Sequence, residues 1–529
     1  MKMSGHRPFG RQGGPWLAPA LLMALGLIVA LQPLILHGQP RSSEAWIHLR
    51  NLEEIPNAVA ALNYPRMLRL FHYRQHYTKY PLFYAAAKAA GVHSPLRAAA
   101  FAAAVFSVLP LLAYLLASRI LGRTASFIAG LVVAVSPSFV YTMNFFSGEE
   151  PLAVAAMLLG LYLYEGRRPL CGLAFFIPAV LLHPLTSLFL WVFLMVHTLL
   201  SKSSERSAER VLCALVFSAA FICWVFTQIY LGLPLGYMMS GGAEGATIVA
   251  LAILITAGTF LAWRARSRWG RLEHAMLLAG GAVSEHLAQI VVAAGIGFLA
   301  LFVSMGVPGS EQRVQPGMLL FYLPLLAAIF SAGLRRDSLD RMTTSLVLAV
   351  LALGVAGTLL FPHGIPVYRL APYGTIALAL LIAPVLQDRR TLAFAAAVTA
   401  GLAATAYPPG AFYFGFEEQY YPADYHAAEK AVNTAGSGRI ITDTRMENVL
   451  RFLGAPGLVV PTNSTLNALP GDHLLITRQM EEFGFYPPGA QWYRMPFHVD
   501  LSEIQSKSDQ TYSNGAVKLL LFLDEAEPD

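Results

Sequence analysis

Apolar runs long enough to cross a bilayer recur from Trp16 to about Tyr407, and nothing else in the sequence limits the fold so strongly. Hydrocarbon offers the backbone no hydrogen bonds, so such runs must wind into helices that satisfy their own amides and carbonyls. The balance of 56% hydrophobic to 13% charged residues, with a mean hydropathy of +0.53, lies well beyond that of an ordinary soluble domain. The expectation is an α-helical polytopic membrane protein carrying a small α/β C-terminal extracytoplasmic domain. The runs divide into thirteen spans at roughly 16–36, 96–117, 125–141, 151–164, 169–182, 185–200, 211–230, 246–262, 275–305, 317–334, 342–361, 370–386 and 391–407. The first run is too long for the core of a signal peptide and reads as an uncleaved span. Cys171, Cys213 and Cys223 all fall in apolar segments, where they read as packing residues rather than a disulfide or metal framework.

The location of charge orients these spans. Residues 408–529 carry 8 basic and 16 acidic side chains, so the basic excess sits entirely in the preceding 407 residues. There it is confined to short loops, which fits the positive-inside rule and argues against a nucleic-acid surface. The N-terminal tail and the segments RILGRT, EGRR, SKSSERSAER, RARSRWGRLEH, RRDSLDR and QDRR together hold 19 Lys and Arg. The short loops on the other side hold two, Arg313 and Arg369. This asymmetry predicts a multi-pass protein of the plasma (inner) membrane with a cytoplasmic N-terminus. It divides the chain into a membrane domain, 1–407, and an outer domain, 408–529, with a first outer loop at 37–95.

Two spans are irregular. Segments 169–182 and 185–200 form a hairpin with LHPLTS at its apex, and a 14-residue helix rises only about 21 Å, which would place His183 below the outer surface. Segment 275–305 is over-long and carries Glu285 and His286 in its middle. The outer tail alternates helical stretches (425–435, 446–454) with short apolar strands (438–443, 457–461, 472–477, 516–523), at a length that could hold a core of its own.

Unusual residues gather on the outer side. RSSEAWIHLRNLEE follows the first span, RQHYTKYPLFYAAAK precedes the second, and SGEEPLA precedes the fourth. Glu44, Glu149 and Glu150 therefore emerge at neighbouring helix ends, where one carboxylate could act as a general base or several could hold a divalent cation. The plainer reading is that Glu149 and Glu150 cap the helix beginning at Pro151.

These stretches resemble the glycosyltransferase C superfamily, membrane enzymes that use sugars linked to polyprenyl phosphate or pyrophosphate. SEAW stands where that family has an acidic residue after the first span. TKYPLFY resembles its motif before the second span, with Lys79 as the basic residue. SGEEPLA stands at its second acidic site, LLHPLT resembles its polar break between short helices, and VYRLAPYG resembles its late outer arginine–tyrosine pair, Tyr368 and Arg369. The resemblance implies an inverting transfer from a polyprenyl-phosphate-linked sugar to an acceptor glycan, lipid or protein. Glu44, Glu149 and Glu150 would be catalytic, and Lys79, Arg369, Arg313, His183, His363 and Tyr368 would bind substrate. Glu44 and Glu149 are the expected ligands of a divalent metal, magnesium or manganese. Membrane lipid is the other expected partner, and nucleic acid is not one. Two departures stand out: the first aspartate of the chain is Asp337, on the inner side, and the outer domain has no WWD sequence. Glutamates would thus perform the carboxylate work, and sequon recognition for protein N-glycosylation is not expected. The sequence leaves two other classes open: a transporter or flippase of lipid-linked glycans, and a non-catalytic envelope-assembly protein.

Overall fold

The computed structural model describes residues 16–37, 43–63, 80–135, 148–166, 168–201, 205–230, 242–268, 286, 289, 340–356, 370–384, 386, 422–460, 468–485 and 506–523. The described part is mostly helical, with one five-stranded sheet near the C-terminus. Pro95–Ala117 and Ala208–Ile229 are long and apolar enough to cross a membrane, and seven shorter apolar helices accompany them among the described residues. Of the expected spans, 317–334 and 391–407 and nearly all of 275–305 lie outside the described residues.

Helix ends follow local chemistry. Ser94 caps the helix Pro95–Ala117 through a hydrogen bond from the Arg97 amide, with Pro95 at the first turn. His183 is extended and accepts from the Thr186 amide, so it ends Leu173–Leu182 and caps Pro184–Leu200 in one residue. The polar break in LHPLTS is thus a helix–helix junction, with Pro184 supplying the fixed φ of a first turn. Gly160 permits the close approach of Glu149–Tyr164 to Leu173–Leu182, since a Cβ there would lie 2.4 Å from the Phe176 ring.

These helices share one apolar core that includes Phe106, Leu109, Met157, Leu161, Phe176, Phe193 and Phe217. Cys213 packs into it, whereas Cys171 and Cys223 lie on the outside of their helices, where only an apolar neighbourhood is needed. The stretch SEAWIHLRNLEE, read from sequence as loop, winds into a helix over Ser43–Glu54, which we call the loop helix.

In the C-terminal region β1 (Arg439–Ile441) pairs in parallel with β2 (Gly457–Val459) and β3 (His473–Thr477). β5 (Val517–Phe522) runs antiparallel to β3, and β4 (Ser508–Ser513) antiparallel to β5, giving the order β2-β1-β3-β5-β4. β4 has no counterpart in the sequence reading, because SDQTYS is a polar edge strand with no apolar run to mark it. One face of the sheet packs Ile441, Leu474, Ile476 and Leu520 into a small cluster of its own. The other face, with Ile440, Leu475 and Leu519, belongs to a larger cluster that also contains Trp46, Tyr84, Ala98, Ala153 and Leu182. That cluster joins the sheet, the loop helix and the adjoining ends of neighbouring helices.

Candidate functional site

Glu149 and Glu150 open the helix Glu149–Tyr164 and are almost wholly buried, at 2% and 0% exposure. Two adjacent carboxylates in that setting are costly, and the local backbone offsets part of the cost. Both lie in the first helical turn, where the amide dipoles favour negative charge. Gly148 precedes them at φ 109°, a left-handed conformation that side chains rarely adopt, and a Cβ there would sit 3.2 Å from the Phe101 ring. The glycine of SGEEPLA thereby sets the angle at which the acid pair enters the protein.

Each acid meets a separate arm of polar side chains. His48, from the loop helix, places Nε2 3.5 Å from Glu149 Oε1. The other ring nitrogen of His48 lies 2.6 Å from the Tyr84 hydroxyl, which also accepts a hydrogen bond from Asn51 Nδ2 at 2.7 Å. Phe83 and Tyr80 pack edge-on against the His48 ring and fix its plane. On the second arm the Tyr373 hydroxyl donates to Glu150 Oε1 at 3.2 Å. Thr186 Oγ1 lies 2.7 Å from that hydroxyl and 3.0 Å from His183 Nδ1. With Glu150 ionised, protons run from Thr186 to Tyr373 to the carboxylate. His183 in turn stacks on Tyr80, with ring centroids 6.0 Å apart, so the two arms close around the acid pair.

The structure therefore brings Glu149, Glu150 and His183 together. Glu44 lies in the first turn of the loop helix, four residues before His48 and hence on the same face, as is Asn51. Lys79, Arg313, His363, Tyr368 and Arg369 lie outside the described residues. The sequence reading missed His48, Asn51, Tyr84, Thr186 and Tyr373. The spacing of Glu44, His48 and Asn51, one helical face, was the available signal for the first arm, and Tyr373 lies inside the VYRLAPYG stretch already singled out for its arginine.

Among the described residues no three His, Cys, Asp or Glu side chains form a metal-binding group. His48 and Glu149 converge with their ligand-type atoms 3.5 Å apart.

At the level of sequence, no protein-family model and no curated protein matches this chain. Solved structures do. The Archaeoglobus fulgidus oligosaccharyltransferase in its apo form superimposes with a TM-score of 0.55 at 12% identity, covering 88% of this chain and 70% of that one. The same enzyme, AglB, with an inhibitory peptide and a dolichol-phosphate gives 0.51 at 13% identity and the same coverage. The chain has a glycosyltransferase C fold. The mycobacterial arabinofuranosyltransferase AftD gives a TM-score of 0.46 at 14% identity, covering 97% of this chain and 40% of that one.

Proposed function

We propose that this protein is a membrane glycosyltransferase that moves a sugar from a polyprenyl-phosphate-linked donor to an acceptor on the outer face of the membrane. The observation that carries this reading is the buried pair Glu149 and Glu150, held by His48 and Tyr373 in a fold shared with an oligosaccharyltransferase. Solved forms of that neighbour hold a dolichol-phosphate with an inhibitory peptide, zinc with sulfate, or a tethered acceptor peptide containing an NVT sequon. Lipid phosphate as the leaving group suits this chain for the same chemical reason. The C1–O bond to phosphate breaks, the acceptor oxygen bonds to C1, and the acceptor's proton passes to a carboxylate. Displacement in one step inverts the anomeric centre.

Glu44 is the base in this proposal, with Glu149 held ionised beside His48 to orient it. A magnesium or manganese ion would be held by Glu149, His48 and Glu44 and would neutralise charge developing on the phosphate. Lys79, Arg369 and Arg313, basic residues on the side where such charge is rare, would grip the donor phosphate, Arg369 through a bidentate fork. Tyr368 and His363 would line the same donor site. The topology is thirteen spans in the plasma membrane with the N-terminus inside and residues 408–529 outside. Cysteine labelling of the outer domain from the cytoplasm would overturn that placement.

The test is release of free polyprenyl phosphate from a panel of synthetic polyprenyl-phosphate and pyrophosphate sugars by the full chain in nanodiscs. Wild type should consume at least one donor, and Glu44→Gln should abolish it with folding intact. Equal turnover by wild type and Glu44→Gln on every donor would remove the assignment.

A further inference from the structure

We infer that the outer domain is a positioning device for the catalytic helix, acting through Trp46; the inference rests on the glycosyltransferase reading for its consequence, and on packing alone for its geometry. His48 and Asn51 lie along one face of the loop helix, where His48 meets Glu149 and Asn51 meets Tyr84. Trp46 lies two residues from both Glu44 and His48, on the opposite face. Its ring is completely buried, stacked on Tyr425 at 5.4 Å and 19° and tilted against Phe452 at 5.3 Å. Tyr425 and Phe452 belong to the two helices of the outer domain that flank β1, Pro422–Ala435 and Thr444–Phe452.

The loop helix is thus held between two bodies of the chain. It has twelve residues, too few to persist alone in water, so its form depends on what it packs against. On the membrane side Lys88 Nζ donates to the Leu52 carbonyl at 2.8 Å and ties down the last turn. On the outer side the apolar cluster runs without interruption from Trp46 and Leu49 through Val449 and Leu450 to Ile440 and Leu519 of the sheet. A shift of the outer domain therefore moves Trp46, and with it His48 on the opposite face, relative to Glu149. An acceptor or partner that docks on the outer domain would reach the acid pair by this route.

Two outer-domain variants, Tyr425→Ala and Phe452→Ala, test this without touching a residue of the site. Hydrogen exchange of the full chain in nanodiscs should show the amides of 43–54 exchanging at least about tenfold faster, with β3 and Pro95–Ala117 unchanged. On whichever polyprenyl donor the wild type consumes, kcat should fall at least about tenfold while KM for the donor holds, because misplacement of reacting groups acts on the transition state. Tyr425→Phe and Trp46→Phe keep aromatic contacts and should restore most of both. Unchanged exchange over 43–54 in both alanine variants overturns the inference, and so does faster exchange with unaltered kcat. A wild type that consumes no donor removes the glycosyltransferase reading instead, and exchange over 43–54 still decides whether the outer domain fixes the helix.

Discussion

The helix Glu149–Tyr164 meets a carboxylate–histidine contact at each end, and the two ends are built to different purposes. At its start, Glu149 faces His48 and Glu150 faces the Tyr373 hydroxyl. At its other end, Glu165 caps the helix and meets Arg210 at 3.1 Å and His197 at 3.4 Å. His197 continues to Ser345 at 3.0 Å, and the Arg210 guanidinium lies over the Tyr164 ring. The helix dipole explains part of the contrast. Carboxylates at an N-terminus are favoured by it, whereas Glu165 sits where it is disfavoured and draws a guanidinium instead. The Glu165 end closes a charge pair across three helices. The Glu149 end sets two acids side by side among hydroxyls and an imidazole, groups able to pass protons, which is the arrangement the proposed transfer chemistry needs.

The largest expected effect tests that contrast directly. Glu149→Gln or Glu150→Gln should lower transfer by about 10²- to 10⁴-fold, the usual worth of a positioned acid–base group, while the melting temperature holds or rises as like-charge repulsion is relieved. A melting temperature that drops with transfer intact would make the pair a tie like Glu165. Next comes Gly148→Ala, which forces a side chain into the left-handed region against Phe101. It should cost about 1–3 kcal/mol of stability and reduce transfer per folded molecule, because the acids enter at a different angle. At the opposite end, Glu165→Gln and Arg210→Met should each cost about 1–3 kcal/mol, the range for a hydrogen bond to a charged group, with transfer per folded molecule unchanged. Loss of transfer there beyond the loss of folded protein would mean that the two ends act as one unit.

The smallest effect belongs to the C-terminal sheet. Burial alone would raise the pKa of Asp472, but hydrogen bonds from Arg439 and the Leu469 amide outweigh it and hold the carboxyl below its usual range. Burial pushes His473 down. Both groups bind protons more readily once unfolded, so the domain should lose stability as pH falls, first below about 6.5 through His473 and then below about 3.9 through Asp472. Melts of the full chain followed by a probe on β3 between pH 7 and 4 should show the first of these losses. Asp472→Asn should leave that first loss in place, since His473 causes it.

The sequence by itself determined that the chain is mostly helical, because apolar runs of that length must satisfy their own backbone polar groups. It also exposed Glu149, Glu150 and the break at His183, since carboxylates beside an apolar run and a His-Pro junction are visible in one dimension. The charge asymmetry from which an orientation is expected is equally a property of the string. Tertiary structure decided which polar groups meet. His48 reaches Glu149 over a sequence separation of 101 and Tyr373 reaches Glu150 over one of 223, and no local pattern encodes either approach. It also decided the conformation of residues 43–54, whose short helix is stabilised by Trp46 packing on Tyr425, nearly four hundred residues away. Local propensity is too weak to fix so short a segment, and the burial that does fix it comes from parts of the chain that only folding brings together.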